Sequence, residues 1–274
     1  MLRGYQIRRL RWWTGVFAFG SLIAACGGAS NGVREDSERS IAEMRLAAGM
    51  RQERNIPSAL QHYQRALELD EGNAEAHLQL GHLYLTEPDY GDFKKAEHHL
   101  KEALRLQRED DTVRRGIAPE VQTMLGALYI NQNRYQDAVK VLEDAIADIH
   151  NSQPHFAWGN LGWAHYEHEH YKEAEKALLR AVQLQPRFCV GHYRLGQTYV
   201  ALKNYERAEQ ALSHAIESDT RCKSFFQEAW RLRGETRAQL GHRDEAIGDF
   251  ERCVEIAKTT PAGKSCQRYL EASQ

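Results

Sequence analysis

The sequence lacks an apolar run long enough to cross a bilayer as a helix. Its longest, Trp12 to Ala25, is 14 residues, against the roughly 20 that a spanning helix needs. Catalytic signatures are missing too: no serine stands in the strand-to-helix setting of a nucleophile elbow, and there is no phosphate loop or His-Glu-x-x-His pair. A catalytic site, a cofactor and a small-molecule substrate are therefore not expected. Basic blocks are also absent from the body of the chain. Four of the 36 basic residues and none of the 38 acidic ones lie in the first 25 positions, so the remainder is acidic by six charges. That balance gives no electrostatic footprint for nucleic acid.

What is present at the start has the form of an export signal. Arg3, Arg8, Arg9 and Arg11 precede the short apolar run, and small residues follow in Ile23-Ala24-Ala25-Cys26-Gly27. This order predicts a cleaved signal peptide over residues 1–25. The adjacent Arg8-Arg9 lacks the rest of a twin-arginine motif. The segment leading to Cys26 resembles the lipobox of bacterial lipoproteins, which implies a diacylglycerol on the Cys26 sulfur; an ordinary secretory signal with an incidental cysteine is the alternative. Two or three acyl chains, at about 0.8 kcal/mol per buried methylene, would anchor the protein stably. Residues 26–39, rich in Gly, Ser and Asn and then in charge, are expected to form a flexible tether with an end-to-end distance of roughly 20 Å.

The rest of the chain is repetitive. Gly or Ala is followed twelve positions later by Ala at Ala47 and Ala59, Gly126 and Ala138, Gly162 and Ala174, Gly196 and Ala208, and Gly234 and Ala246. Gly81 and Ala96 form a sixth pair with three extra residues in the turn around Thr86 to Tyr90. Seven positions further on come Ala66, Ala103, Ala145, Ala181, Ala215 and Cys253. Small residues at these places let antiparallel helices approach closely, and large residues between them recur at helical spacing. The pattern resembles the tetratricopeptide repeat from about residue 40 to residue 260. The expected fold is an all-α superhelix of six helix-turn-helix units, approximately 40–73, 74–111, 119–152, 155–188, 189–222 and 227–260. A capping helix and tail at 261–274 would cover the last unit, and a longer polar connection is expected near residues 107–118.

In that family the first helix of each unit lines a concave groove. With Gly126 as the eighth position of its unit, the groove positions hold Leu78, His82 and Leu85, then Thr123 and Ile130, then Phe156, Trp163 and Tyr166, then Tyr193, Gln197 and Val200. The Lys, Asn and Arg that clamp a chaperone's terminal carboxylate in some members are not at these positions, so a carboxylate ligand of that kind is not expected. An apolar groove with aromatic anchors suits an amphipathic helix or an extended apolar segment of a partner protein. The same spacing also fits ordinary packing, and exposure of Phe156, Trp163 and Tyr193 separates the two.

Apart from Cys26 there are four cysteines, which allow three connectivities. Their placement about the helical hairpins predicts Cys189 with Cys222 and Cys253 with Cys266, each worth roughly 3 to 4 kcal/mol if unstrained; a buried free thiol at Cys253 is the alternative. His165, His168 and His170 are close in sequence, but His165 falls at an inward position and the others in a turn, so no metal is expected. His98 and His99 are expected at the surface.

Signal, lipobox, tether and six repeats together resemble the pilotins of type IV pilus secretins, the PilF/PilW group that includes the social-motility lipoprotein of myxobacteria. The resemblance implies a protein on the periplasmic side of the outer membrane that helps a secretin subunit insert and form its ring. Gly27 after the lipidated cysteine, where Asp would favour inner-membrane retention, agrees with outer-membrane sorting in that family. A lipoprotein adaptor for cell-wall enzymes is the other expectation.

Overall fold

A computed structural model describes residues 26–109, 117–219, 222 and 226–272. The expected signal peptide at 1–25 and the side chain of Cys26 lie outside the described part. The described chain is all helical: α1 (Cys26–Gln52), α2 (Ile56–Leu69), α3 (Ala74–Thr86), α4 (Phe93–Glu109), α5 (Ile117–Asn131), α6 (Tyr135–Ala147), α7 (Pro154–Glu167), α8 (Tyr171–Leu184), α9 (Cys189–Ala201), α10 (Tyr205–Glu217), α11 (Gln227–Gln239), α12 (Arg243–Ile256) and α13 (Pro261–Ala272). Successive pairs from α1/α2 to α11/α12 form six helical hairpins, and α13 covers the last.

The repeated small residues are explained by contact. A β-carbon added at Gly126 would fall 2.5 Å from Leu142, and one at Gly162 would fall 2.5 Å from Leu178. Gly81, Gly196 and Gly234 meet Leu100, Leu212 and Phe250 in the same way, at 2.6 Å. Each large side chain on a second helix thus sits directly on the backbone of the first, which close-packed interiors permit only where no side chain intervenes. Ala59, Ala96, Ala138, Ala174 and Ala208 complete the seam, all fully buried.

Five of the six hairpin turns, all but that between α3 and α4, share a device that residue types do not reveal. Arg54, Asn133, Glu169 and Lys203 all adopt left-handed backbone, at φ between 57° and 61°, and Gly241 takes the equivalent place at 80°. The next residue's N–H then reaches five residues back, as from Arg134 to the Tyr129 carbonyl and from His170 to the His165 carbonyl, both at 2.8 Å. This is the Schellman closure, in which glycine is the least strained occupant. Glu169→Gly is accordingly expected to stabilise the protein by about 0.5 to 1 kcal/mol. A lower melting temperature for the variant would contradict this.

One expectation about the edges of the repeats is corrected. Residues 26–39 are helical, forming the first half of α1. Arg34 pairs with Glu38 at 3.3 Å and Arg39 with Asp36 at 3.2 Å, and the helix extends from a packed segment where the buried Ser40 hydroxyl donates to the Ala66 carbonyl at 2.8 Å. Propagation from an existing turn costs little. Near residues 107–118, α4 continues to Glu109 and α5 starts at the fully buried Ile117. The longer connection expected there falls on residues 110–116, outside the described part.

The C-terminal end is braced three ways. Cys189 is bonded to Cys222 and Cys253 to Cys266, with Cα atoms 6.4 and 6.3 Å apart, in the predicted pairing. Tyr269 of α13 stacks on Phe250 of α12 at 4.7 Å. A buried ion network joins the fifth and sixth units. Asp249, 2% exposed, accepts from Arg233 Nε at 2.9 Å, from Arg233 Nη2 at 2.7 Å and from Arg237 Nη1 at 2.9 Å. Arg233 also donates to Ser213, and Arg237 to Glu209, both on α10.

His98 is exposed as expected, but His99 is half-buried: it stacks on Tyr84 and lies with its Nδ1 3.0 Å from Nδ1 of the buried His77. Burial, then the neighbouring His77, His98 and Lys95, lowers its pKa from 6.5 to about 4, against a smaller opposing effect of Glu102. Burial lowers His77 as well, although its bond to the Glu71 carbonyl opposes the shift. Between pH 6.5 and 4 the unfolded chain binds protons that the folded chain refuses. Stability should therefore fall as pH drops through that window. Urea midpoints at neutral pH and about pH 5 should differ less in His99→Gln than in the parent; equal differences would contradict the assignment.

Candidate protein-binding groove

The first helices α3, α5, α7, α9 and α11 stand side by side on the concave face. Between α3, α5 and α7 they enclose an open cavity of about 610 Å³. Leu85 of α3, Met124 of α5 and Phe156 of α7 form its apolar wall, and His82, Glu120, Thr123 and Asn160 its polar one. The turn before α7 closes one side with His150, Asn151, Ser152 and Gln153. That turn is built by short-range bonds: Asp148 accepts from the His150 N–H at 2.8 Å, and Asn151 donates to the Ala145 carbonyl at 2.7 Å while accepting from the Gln153 N–H at 3.0 Å. Beside the cavity, Arg51 Nη1 donates to Gln79 Oε1 at 2.9 Å and lies 3.0 Å from His82 Nδ1. Burial, and then that arginine, lower the His82 pKa.

The expected groove residues divide. Leu85 and Phe156 line the cavity together with His82 and Thr123, and Phe156 is 43% exposed. Leu78 and Ile130 do not face a groove: Leu78 is fully buried and Ile130 nearly so. Both belong to the apolar core running through the first four units, because side chains at their positions turn into the seam between neighbouring repeats. In the fourth unit the position equivalent to Leu78 is Gly159, and Phe188 fills its place, 2.7 Å from where a β-carbon would stand.

Trp163 and Tyr166 are half-buried and stacked on each other at 4.8 Å. Tyr193 packs on Phe226 at 4.7 Å, and burial pushes its hydroxyl pKa up to about 12. Val200 borders a separate hollow of about 270 Å³ with Leu232 and Tyr269. The groove is thus a mixed polar and apolar cavity in the middle repeats, flanked by aromatic pairs, and not a continuous apolar stripe.

Several residues of this surface were missed from sequence. Glu120, Asn160 and the 150–153 turn stand beside the predicted positions. A signal for the turn existed, since Gly126 to Gly162 is 36 residues where Gly162 to Gly196 is 34. Arg194 was also missed. It lies over the Trp163 ring at 5.1 Å, and its Nη1 donates to the Gly159 carbonyl at 3.2 Å and to Asn160 Oδ1 at 3.0 Å.

The histidine group shows His168 and His170 with ring centres 4.4 Å apart and His165 6.2 Å from His170. Among the described residues, no group of three His, Cys, Asp or Glu side chains could hold a metal ion, and no helix is long and apolar enough to cross a membrane.

Comparison with known proteins agrees with the repeat architecture. Tetratricopeptide repeat families match residues 51–86, 89–158, 155–188, 191–222 and 227–260. The BBSome complex member BBS4 homolog of Drosophila melanogaster is 24% identical over 78% of this chain, which spans 41% of that protein. Cilia- and flagella-associated protein 70 of Homo sapiens is 25% identical over 60% of the chain, which spans 14% of it. Among solved structures, PilF of Pseudomonas aeruginosa superposes with a TM-score of 0.68 at 18% identity, covering 86% of this chain and 99% of its own. PilW, a widely conserved type IV pilus biogenesis factor, superposes with a TM-score of 0.70 at 19% identity, covering 83% and 98%.

Proposed function

Because this chain belongs to the tetratricopeptide-repeat proteins, we propose that it is a protein-binding scaffold and, more finely, a pilotin for a type IV pilus secretin. In this reading a lipid on Cys26 holds it at the periplasmic side of the outer membrane. The concave face then covers an apolar segment of a secretin subunit until the assembled ring buries that segment. The observation that carries the reading is the overlap with PilF and PilW along nearly their whole lengths. The lipobox-like Ala24-Ala25-Cys26-Gly27 supports the anchor. The half-open Phe156 and the cavity beside it support a protein segment as ligand, since aromatic anchors in pockets dominate such contacts.

Deletion of the gene tests it. Heat-resistant secretin multimers should disappear, and a Cys26→Ala copy should fail to restore them. Normal multimers in the deletion strain would end the pilotin reading, and capture of murein hydrolases in place of secretin monomers would favour the cell-wall adaptor.

A further inference from the structure

Arg194 is unlike the other arginines that bridge the repeats. Arg134 meets Glu97, Arg207 meets Glu175 and Arg237 meets Glu209, each across a repeat boundary at 2.8 to 3.2 Å. Arg194 reaches across the boundary between α9 and α7 and finds only a backbone carbonyl and an amide oxygen, both through Nη1. Among the described residues its Nε and Nη2 have no hydrogen-bond acceptor and no carboxylate lies within ion-pair distance. Burial lowers its pKa to about 10, with Glu167 as the weak opposing influence, so it carries its charge at neutral pH without a counter-ion.

Arg194 as a whole is half-buried, and neither Nε nor Nη2 is among the enclosed polar atoms that lack a partner, so these two nitrogens stay open to an incoming group. Its location gives that opening a use. Asn160, which Arg194 holds, lines the cavity of the middle repeats, and Trp163 beneath the guanidinium fixes its plane. Guanidinium forks bind carboxylates in two parallel bonds, and two of this fork's nitrogens remain available.

We propose that Arg194 receives an Asp or Glu side chain of the bound protein segment, with an apolar residue of the same segment entering the cavity beside Phe156. This rests on the reading of the concave face as the binding surface, and it adds a selection rule: the segment is acidic at one place and apolar at another, at a fixed spacing. The chain's general acidity would otherwise repel such a segment, so binding at this one cation discriminates in favour of partners that present the carboxylate in register.

The test uses the purified full-length chain in detergent and a displayed random dodecapeptide library. Peptides enriched on the parent should share an acidic residue at a fixed distance from a Leu or aromatic residue. Enrichment on Arg194→Met should keep the apolar preference and lose the acidic one. A Glu→Gln copy of an enriched peptide should bind the parent at least about tenfold more weakly, and the difference should vanish on Arg194→Met. Arg194→Met should remain folded, losing only the bonds to the Gly159 carbonyl and Asn160.

An acidic preference that persists on Arg194→Met, one that is absent on the parent, or a failure to enrich any peptide would overturn the proposal. So would unfolding of Arg194→Met, which would make the arginine structural. Acid-selective enrichment together with normal secretin multimers in the deletion strain would leave this assignment standing and end the pilotin reading.

Discussion

Asp249→Ala is expected to destabilise the protein by about 3 to 5 kcal/mol, the cost of leaving buried charges without their partner. Arg233 is 4% exposed and gives Asp249 two of its donors, and Arg237 gives it a third. With the carboxylate gone, two guanidinium groups share the interface between the fifth and sixth units with only Glu209, Ser213 and the more exposed Glu217 to receive them. Urea unfolding followed by circular dichroism measures the loss. Replacing Arg233 and Asp249 together by apolar residues should cost clearly less than Asp249→Ala alone, because no charge is then stranded. A single-variant loss under about 1 kcal/mol would show that water reaches the network.

The second large effect concerns binding. Phe156→Ala should weaken capture of the partner segment by about 30-fold or more, as expected for an aromatic anchor worth 2 kcal/mol. The fold should hardly notice. Phe156 is 43% exposed, and its ring contacts among the described residues are an edge-to-face meeting with Phe188 at 5.4 Å and a close approach to His155. A drop of stability well under that seen for Asp249→Ala would accompany the binding loss. Equal losses of stability and binding would mark Phe156 as a packing residue and move the binding surface elsewhere. Leu78→Ala offers the contrast, since a fully buried leucine should lower stability first.

The repeats were legible because the requirement behind them is steric and recurs. Wherever a Leu or Phe of the second helix rests on the first, only a small residue fits, so Gly81, Gly126, Gly162, Gly196 and Gly234 stand in register. The cysteine pairing was legible for a related reason, since antiparallel helices fix which positions face each other. The turn conformation was not, because Arg54, Asn133, Glu169 and Lys203 share a backbone state and no side-chain chemistry.

The groove was legible in part. Numbering within a repeat found Leu85 and Phe156, but it treated every unit as equal and so placed Leu78 and Ile130 on a surface that neighbouring units cover. Arg194 escaped because its significance is the absence of a nearby carboxylate, which depends on what an adjacent repeat presents. The start of α1 escaped because glycine and charge read as flexibility, while the pairs of Arg34 with Glu38 and Arg39 with Asp36 act only once the helix exists.

The most direct measurement is site-specific photo-crosslinking in living cells, with a photoreactive phenylalanine at Phe156 on the concave face and, separately, at Lys140 and Lys176, which are exposed on the second helices α6 and α8. The account predicts a crosslink from Phe156 to the secretin subunit, lost when Arg194 is replaced by Met, and none from the two lysine positions. Crosslinks to the secretin from Lys140 or Lys176 with none from Phe156 would contradict it.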